Sequence, residues 1–274
     1  MRVGDRWALL VWVLLLAGFA TPASGHSPNG DPGSELLVSL VGMAMFCVLW
    51  LAFIRGGRSA LRTRRSWLFH GGLLIGVFAI WGPLDHWASE SASAHMIQHM
   101  LFISLMAPLL VVSRPLPQIF TGLGVSARSV GRTLKLMANR PMALGYLHGL
   151  TIWVWHLPFF YVLALNDPWV HFIEHLSFIA TATLFWWAIL NSATRNLGLS
   201  LCSLLFTLMH TGILGAILTF AREPLYGDHY ALGDQQLAGL IMWVVGSFPY
   251  VAASIWIMWA GYQRLQKKEP SDLV

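Results

Sequence analysis

Charge is what this sequence has least of. Only 11% of its 274 residues are charged and 56% are hydrophobic, against about 25% charged in an ordinary soluble domain. That scarcity excludes a water-soluble globular fold and points to lipid as the surrounding solvent. Cysteine is almost absent as well. Cys47 and Cys202 both lie inside apolar runs, where they read as small buried hydrophobes, so neither a disulfide framework nor a cysteine-based metal site is indicated. Motifs of familiar hydrolytic and nucleotide chemistry are missing too. No HExxH, no P-loop and no Ser–His–Asp arrangement is recognisable, and a non-enzymatic role is expected. The formal charge of +5 is confined to a few short loops, so nucleic acid is not an indicated partner.

What the chain has is long apolar stretches. Runs at about 36–54, 67–83, 95–113, 142–163, 171–190, 199–220 and 237–260 each approach the ~20 residues that a helical span needs. The second is the shortest. Pro158, near one end of the fourth, is expected to kink or end that helix. Fourteen tryptophans and fifteen phenylalanines fit interfacial aromatic belts. The expected fold is therefore all-α, a polytopic membrane bundle of seven transmembrane helices in the lipid bilayer. A signal peptide precedes it at 1–25, with Arg2 and Arg6 ahead of an apolar stretch and Ala23-Ser24-Gly25 as a small-residue cleavage site; the alternative is a retained first helix. An outer segment at 26–35, a membrane domain at 36–262 and a cytoplasmic tail at 263–274 complete the expected organisation.

Positive charge alternates between loops. Arg55, Arg58, Arg62, Arg64 and Arg65 occupy the first. Arg114, Arg128, Arg132, Lys135 and Arg140 occupy the third, Arg195 the fifth, and Arg264, Lys267 and Lys268 the tail, while the intervening loops hold only Arg222. The positive-inside rule makes the rich set cytoplasmic. Seven spans then place the mature N-terminus outside and the C-terminus inside, which agrees with the signal peptide. The outer side is acidic, carrying Asp31, Glu35, Asp85, Glu90, Asp167, Glu174, Glu223, Asp228 and Asp234. Such a face favours a cation over an anion as the species met there, although ordinary solvation explains it equally well.

Against this background the eleven histidines stand out, because an ionisable side chain in a span is costly without a partner or a task. Two pairs, His95/His99 and His171/His175, have i, i+4 spacing, so each pair shares a helix face. Both open their spans at the outer end. His156 falls about 12 Å down the fourth span at 1.5 Å per residue, and His210 lies near the middle of the sixth. His86 and His229 fall in outer loops, and His26 follows the cleavage point. Only His70 and His148 fall in inner halves, and both read as structural. Neutral imidazole suits copper, zinc or haem iron, and two facing HxxxH helices can supply three or four nitrogens. Met96, Met100 and Met209 adjoin histidines, and thioethers select Cu(I), yet neighbours in sequence point about 100° apart on a helix, so Met96 does not simply share a face with His95. Interfacial hydrogen bonding is the competing reading of the pairs. Glu174 reads either as a partner that fixes a ring tautomer or as an ordinary interfacial acid.

The last outer loop, 222–236, is polar and rich in turn residues. It contains His229 and Asp234, which is expected to cap the final helix. Gln235 and Gln236 enter that helix's first turn, where their amides could meet histidine rings or a docking partner. The loop reads as a lid over the histidines or as a plain connection. Gly239, Gly246 and Pro249 predict close packing and a bend in the last span.

The strings SAHMIQHMLF (93–102), HFIEHLSF (171–178), MHTGILGAILTFAREPLY (209–226) and DQQLAGLIMW (234–243) resemble the CtaG family of cytochrome c oxidase assembly factors, the multi-span type named for the caa-type oxidase. The similarity runs from about residue 35 to 262. It implies a bacterial inner-membrane protein needed to form active haem–copper oxidase, handling copper for its centres. The family's histidine motifs fall on His95, His99, His171, His175 and His210, which are the expected metal ligands. His156, Met96, Met100, Glu174, His229, Asp234 and Gln235 are the additional or supporting candidates. The implied partners are the oxidase catalytic subunit and outer-side copper chaperones. The rival readings are a haem-binding electron-transfer protein, a metal permease and a metal-free assembly scaffold. The spacing alone does not separate copper from haem.

Overall fold

A computed structural model describes residues 32–57, 64–126, 128–193 and 196–266. The expected signal peptide, His26, Arg195 and most of the expected tail lie outside the described residues. Within them every regular element is helical. Five helices are long and apolar enough to cross a bilayer, and two further pairs, bent by 45° and 70°, bring the number to seven if each pair is one span. All seven correspond to the apolar runs of the sequence. Their outward faces carry residues such as Leu150, Phe159, Ile255 and Trp259, more than half exposed, a surface suited to lipid rather than water. The chain is a multi-pass membrane protein.

In chain order, α1 (Pro32–Gly56) is one long span, and α2 (Arg64–Trp81) continues across Gly82 into the short α3 (Pro83–Glu90). The third span is α4 (Ala92–Met100), a π-helical stretch Leu101–Met106 and α5 (Ala107–Ser113); α6 (Leu116–Leu123) and α7 (Arg128–Met137) follow. The fourth is α8 (Pro141–Trp155) with α9 (Pro158–Asn166), the fifth α10 (Pro168–Ser192), the sixth α11 (Leu197–Thr219). The last joins α12 (Leu232–Leu240), a second π-helical stretch Ile241–Val245 and α13 (Ser247–Gln266).

Two irregularities have local causes. Pro158 cannot donate to the turn before it. Accordingly α8 stops at Trp155, His156 closes it, and the chain turns by 70° into α9. The depth of His156 inferred from a straight rise therefore does not apply. The π stretch in the third span is explained by Pro108, one residue beyond Ala107. With no N–H at Pro108, the carbonyl of Ile103 has no i+5 partner, and Trp186 Nε1 donates to it instead at 2.9 Å. Ala107 N–H meanwhile reaches Phe102 O, five residues back.

Close backbone approaches fix the rest. Gln118 Nε2 donates to Phe53 O at 2.6 Å, and a Cβ on Gly122 would fall 1.8 Å from Ala52 O, so α6 folds tightly back on α1. Phe178, Phe185 and Ile189 of α10, with Leu204 of α11, are almost fully buried at the centre of the main core. That core holds α10 between α8, α11 and the third span. The third and fifth spans are thus neighbours, which sequence spacing could not establish.

Candidate metal centre

Both histidine-bearing helices start from a fixed cap. In α10, Asp167 Oδ1 accepts from Trp169 N and Val170 N at 2.8 and 3.2 Å, with Pro168 as the first helical residue. An acceptor followed by proline is a strong start signal. It sets the first turn so that His171, Glu174 and His175, at i, i+3 and i+4, face one way. In α4, Ser91 Oγ accepts from Ala94 N at 3.3 Å. Asp234 then binds the same helix end from the last span. Its carboxylate accepts from Ala92 N (2.6 Å), Ser93 N (3.3 Å), Ser91 Oγ (3.1 Å) and Ser93 Oγ (2.6 Å). The expectation that Asp234 caps its own helix is corrected. It lies inside the first turn of α12, whose N-cap is Ala231, and satisfies the orphan donors of α4 instead.

These two helices bring the four HxxxH rings together. Ring centroids lie 4.3 Å apart for His95/His99, 4.1 Å for His171/His175, 5.3 Å for His95/His171 and 5.2 Å for His99/His175. All four are buried, as is Glu174, which is 1% exposed. Glu174 Oε1 stands 3.9 Å from His99 Nε2. The tightest set is His95, His99, His171 and Glu174, each offering one ligand atom, with all those atoms within 4.8 Å of one another. Two nitrogen or oxygen ligands at about 2 Å from one ion lie at most about 4 Å apart, so the outermost pair must close by about 1 Å. Such a group can hold a metal ion. His175 belongs to the ring cluster but not to this closest set, and Glu174 takes its place. The sequence signal for Glu174 was its i+3 position from His171.

Other candidates fall elsewhere. Met96 and Met100 line a cavity on the inboard side of His99, with His156. His210 of α11 packs over Gly149 of α8, where an added Cβ would meet its Nε2 at 2.7 Å, and its ring lies 4.9 Å from Phe206. Nearby His148 Nδ1 pairs with Thr181 Oγ1 at 3.0 Å. Met209 is 57% exposed and turned away from His210's surroundings. His70 accepts from Trp50 Nε1 at 3.3 Å among Phe53 and Phe69, a structural role.

The last outer loop, 222–236, is braced from within. Gln235 Oε1 accepts from Leu225 N at 2.7 Å, and Gln236 Nε2 donates to Ala221 O at 2.9 Å. Both amides hold loop backbone rather than histidine rings. His229 is exposed at the loop's surface. Tyr226 turns inward, stacking on Tyr161 at 3.7 Å and donating to His156 O at 3.2 Å, while Tyr161 lies 5.9 Å from His95. Tyr230 donates to Ala88 O at 3.3 Å. Burial pushes the phenols of Tyr226 and Tyr230 above their usual range, and the Glu174 charge adds to this at Tyr226, so both stay neutral donors. The loop reaches toward His95 through the Tyr226–Tyr161 stack.

The cluster, its capped helices and the seven-span frame coincide with a described family. A profile for the cytochrome c oxidase caa3 assembly factor (Caa3_CtaG) matches residues 44–264, a stretch that contains both histidine helices, the last outer loop and Asp234. No curated protein and no solved structure matches the chain. Four-fifths of the chain lies within the profile, and on that ground the protein belongs to the cytochrome c oxidase caa3 assembly factor family.

Proposed function

We propose that the protein binds copper at the His95, His99, His171 and Glu174 group, with His175 at its edge, and delivers it to the catalytic subunit of the oxidase. The observation that supports this reading is the convergence of three imidazoles and a carboxylate, all buried, on one point, in a member of an oxidase assembly family. Imidazole is a good copper ligand, and a buried carboxylate offsets the charge that a cation brings into a poorly solvated place. On the charge pattern of the loops the group faces the outer side, where copper chaperones would supply the ion and the oxidase subunit would receive it.

The packing favours an ion over haem. A macrocycle ligated by two of these rings would need the space that the remaining rings and Glu174 occupy. A permease reading has less support, since among the described residues the inner halves of the spans offer His70 and His148 and no continuous line of acids. The test is copper retained by purified protein. The His95→Ala, His171→Ala double variant is expected to lose the copper of the cluster and to fail in supporting oxidase formation. Unchanged copper content in that variant would overturn the assignment.

A further inference from the structure

A second group of donor atoms lies beside the cluster, built from different side chains. His156 is nine-tenths buried at the end of α8. Its Nδ1 lies 2.8 Å from Ile152 O. A carbonyl only accepts, so Nδ1 carries the proton and Nε2 keeps its lone pair. That lone pair is buried and has no hydrogen-bond partner. His156 borders a cavity lined also by Met96, Met100, Met242 and His99, with room for about a single water-sized particle.

The thioethers and the threonine that line the cavity with it cannot satisfy this lone pair. Thioethers only accept, and weakly. Thr211, which also lines the cavity, spends its hydroxyl proton on Thr207 O at 2.7 Å. A buried acceptor left without a donor costs about 1–3 kcal/mol, and a cation would satisfy imidazole and thioether acceptors together. Soft thioether sulfur with imidazole selects Cu(I) over Cu(II) or Zn(II).

Backbone geometry supports the same site. Met100 immediately precedes the π stretch Leu101–Met106, and Met242 lies within the π stretch Ile241–Val245. The described helices have these two π segments, on two packed spans, and both place a methionine on this cavity. Short π segments are rare and concentrate where a side chain has to be aimed. Gly246 leaves the sulfur room, since a Cβ there would meet Met100 Sδ at 2.9 Å.

We infer that Met96, Met100, Met242 and His156 form a Cu(I) site inboard of the histidine–glutamate cluster, with His99 in the wall between the two. The ion enters this site as Cu(I), and no electron is transferred on binding. Because it uses different ligands, the site stands whether or not the cluster binds copper.

X-ray absorption at the copper edge tests it on the full-length protein in detergent, loaded anaerobically with Cu(I). Sulfur scatterers are expected in ordinary protein and selenium scatterers in protein made with selenomethionine, a change that needs no mutation. The near-isosteric Met100→Leu, Met242→Leu double variant should lose these scatterers and about one equivalent of Cu(I) per chain. The His95→Ala, His171→Ala variant should keep them. Wild-type copper with only nitrogen and oxygen neighbours would overturn the proposal, as would a selenium signal undiminished in the methionine double variant. Failure of the cluster alone looks different: sulfur scatterers present, but copper content unchanged by His95→Ala, His171→Ala.

Discussion

The carboxylate of Asp234 accepts a 2.6 Å hydrogen bond from the backbone N–H of Ala92, three residues before His95 and on a different span. This one acid ties the last span to the start of the helix that carries His95 and His99. Removing a side-chain cap costs about 0.5–2 kcal/mol, and Asp234 holds two backbone donors and two hydroxyls. Asp234→Ala is therefore expected near the upper end of that range, lowering the unfolding midpoint by several degrees and weakening copper binding by letting α4 fray. Asp234→Asn keeps one acceptor oxygen and should fall between. A copper affinity that follows neither substitution would show that the cap does not position the cluster.

Glu174 separates ligand function from packing. Glu174→Gln conserves shape and removes a charge that the protein buries almost completely. Without metal, the neutral amide costs no more to bury than the carboxyl it replaces, so the unfolding midpoint of metal-free protein should hold or rise. Copper affinity should fall by about tenfold or more, a loss of ~1.4 kcal/mol or greater. His175→Ala, outside the tightest set, should weaken binding less than His171→Ala. Competition with a chelator of known affinity measures all three, and equal losses for the two histidines would contradict the geometry.

Acidity should release the metal. Imidazole binds copper only when neutral, so protons and metal compete for the same nitrogens. An ordinary histidine protonates near 6.5, and three imidazoles share the proposed ion. Affinity should therefore drop as pH falls from 7 to 5, with more than one proton taken up per ion released. Isothermal titration in buffers of different ionisation enthalpy counts those protons. A pH-independent affinity would argue against histidine ligation.

Much of this could be read from the chain because its signals are local. Seven apolar runs gave seven spans, and the i, i+4 spacing put His95 with His99 and His171 with His175 on common faces. Pro158 broke its helix as its missing N–H requires. The Asp167–Pro168 start of α10 is equally local. What was not legible depends on which spans are neighbours. Asp234 caps a helix some 142 positions away, and nothing in its own segment distinguishes that from capping α12. Glu174 joins the ligand set only because α4 presents His95 and His99 opposite it. The π stretch of the third span has a local cause in Pro108, but the partner of its Ile103 carbonyl is distant, Trp186 of another span.

The last span reaches the site because two glycines let it. A Cβ on Gly239 would fall 2.6 Å from both Gly215 O and Thr219 N, so α12 and α11 touch backbone to backbone, the close approach that small residues allow between membrane helices. Gly239→Ala forces the pair apart, and overpacking of this kind costs about 1–3 kcal/mol. The displacement should be felt at Asp234, five residues before it, and at Met242, three residues after it. Gly233→Ala on the same helix meets nothing within 4 Å and gains helix propensity, so it should be neutral or slightly stabilising. Thermal unfolding of the two variants, read beside copper affinity, distinguishes a general intolerance of α12 to alanine from a specific loss of contact. Only Gly239→Ala should lower both, and equal behaviour of the pair would mean that the α11–α12 contact does not set the position of the last span.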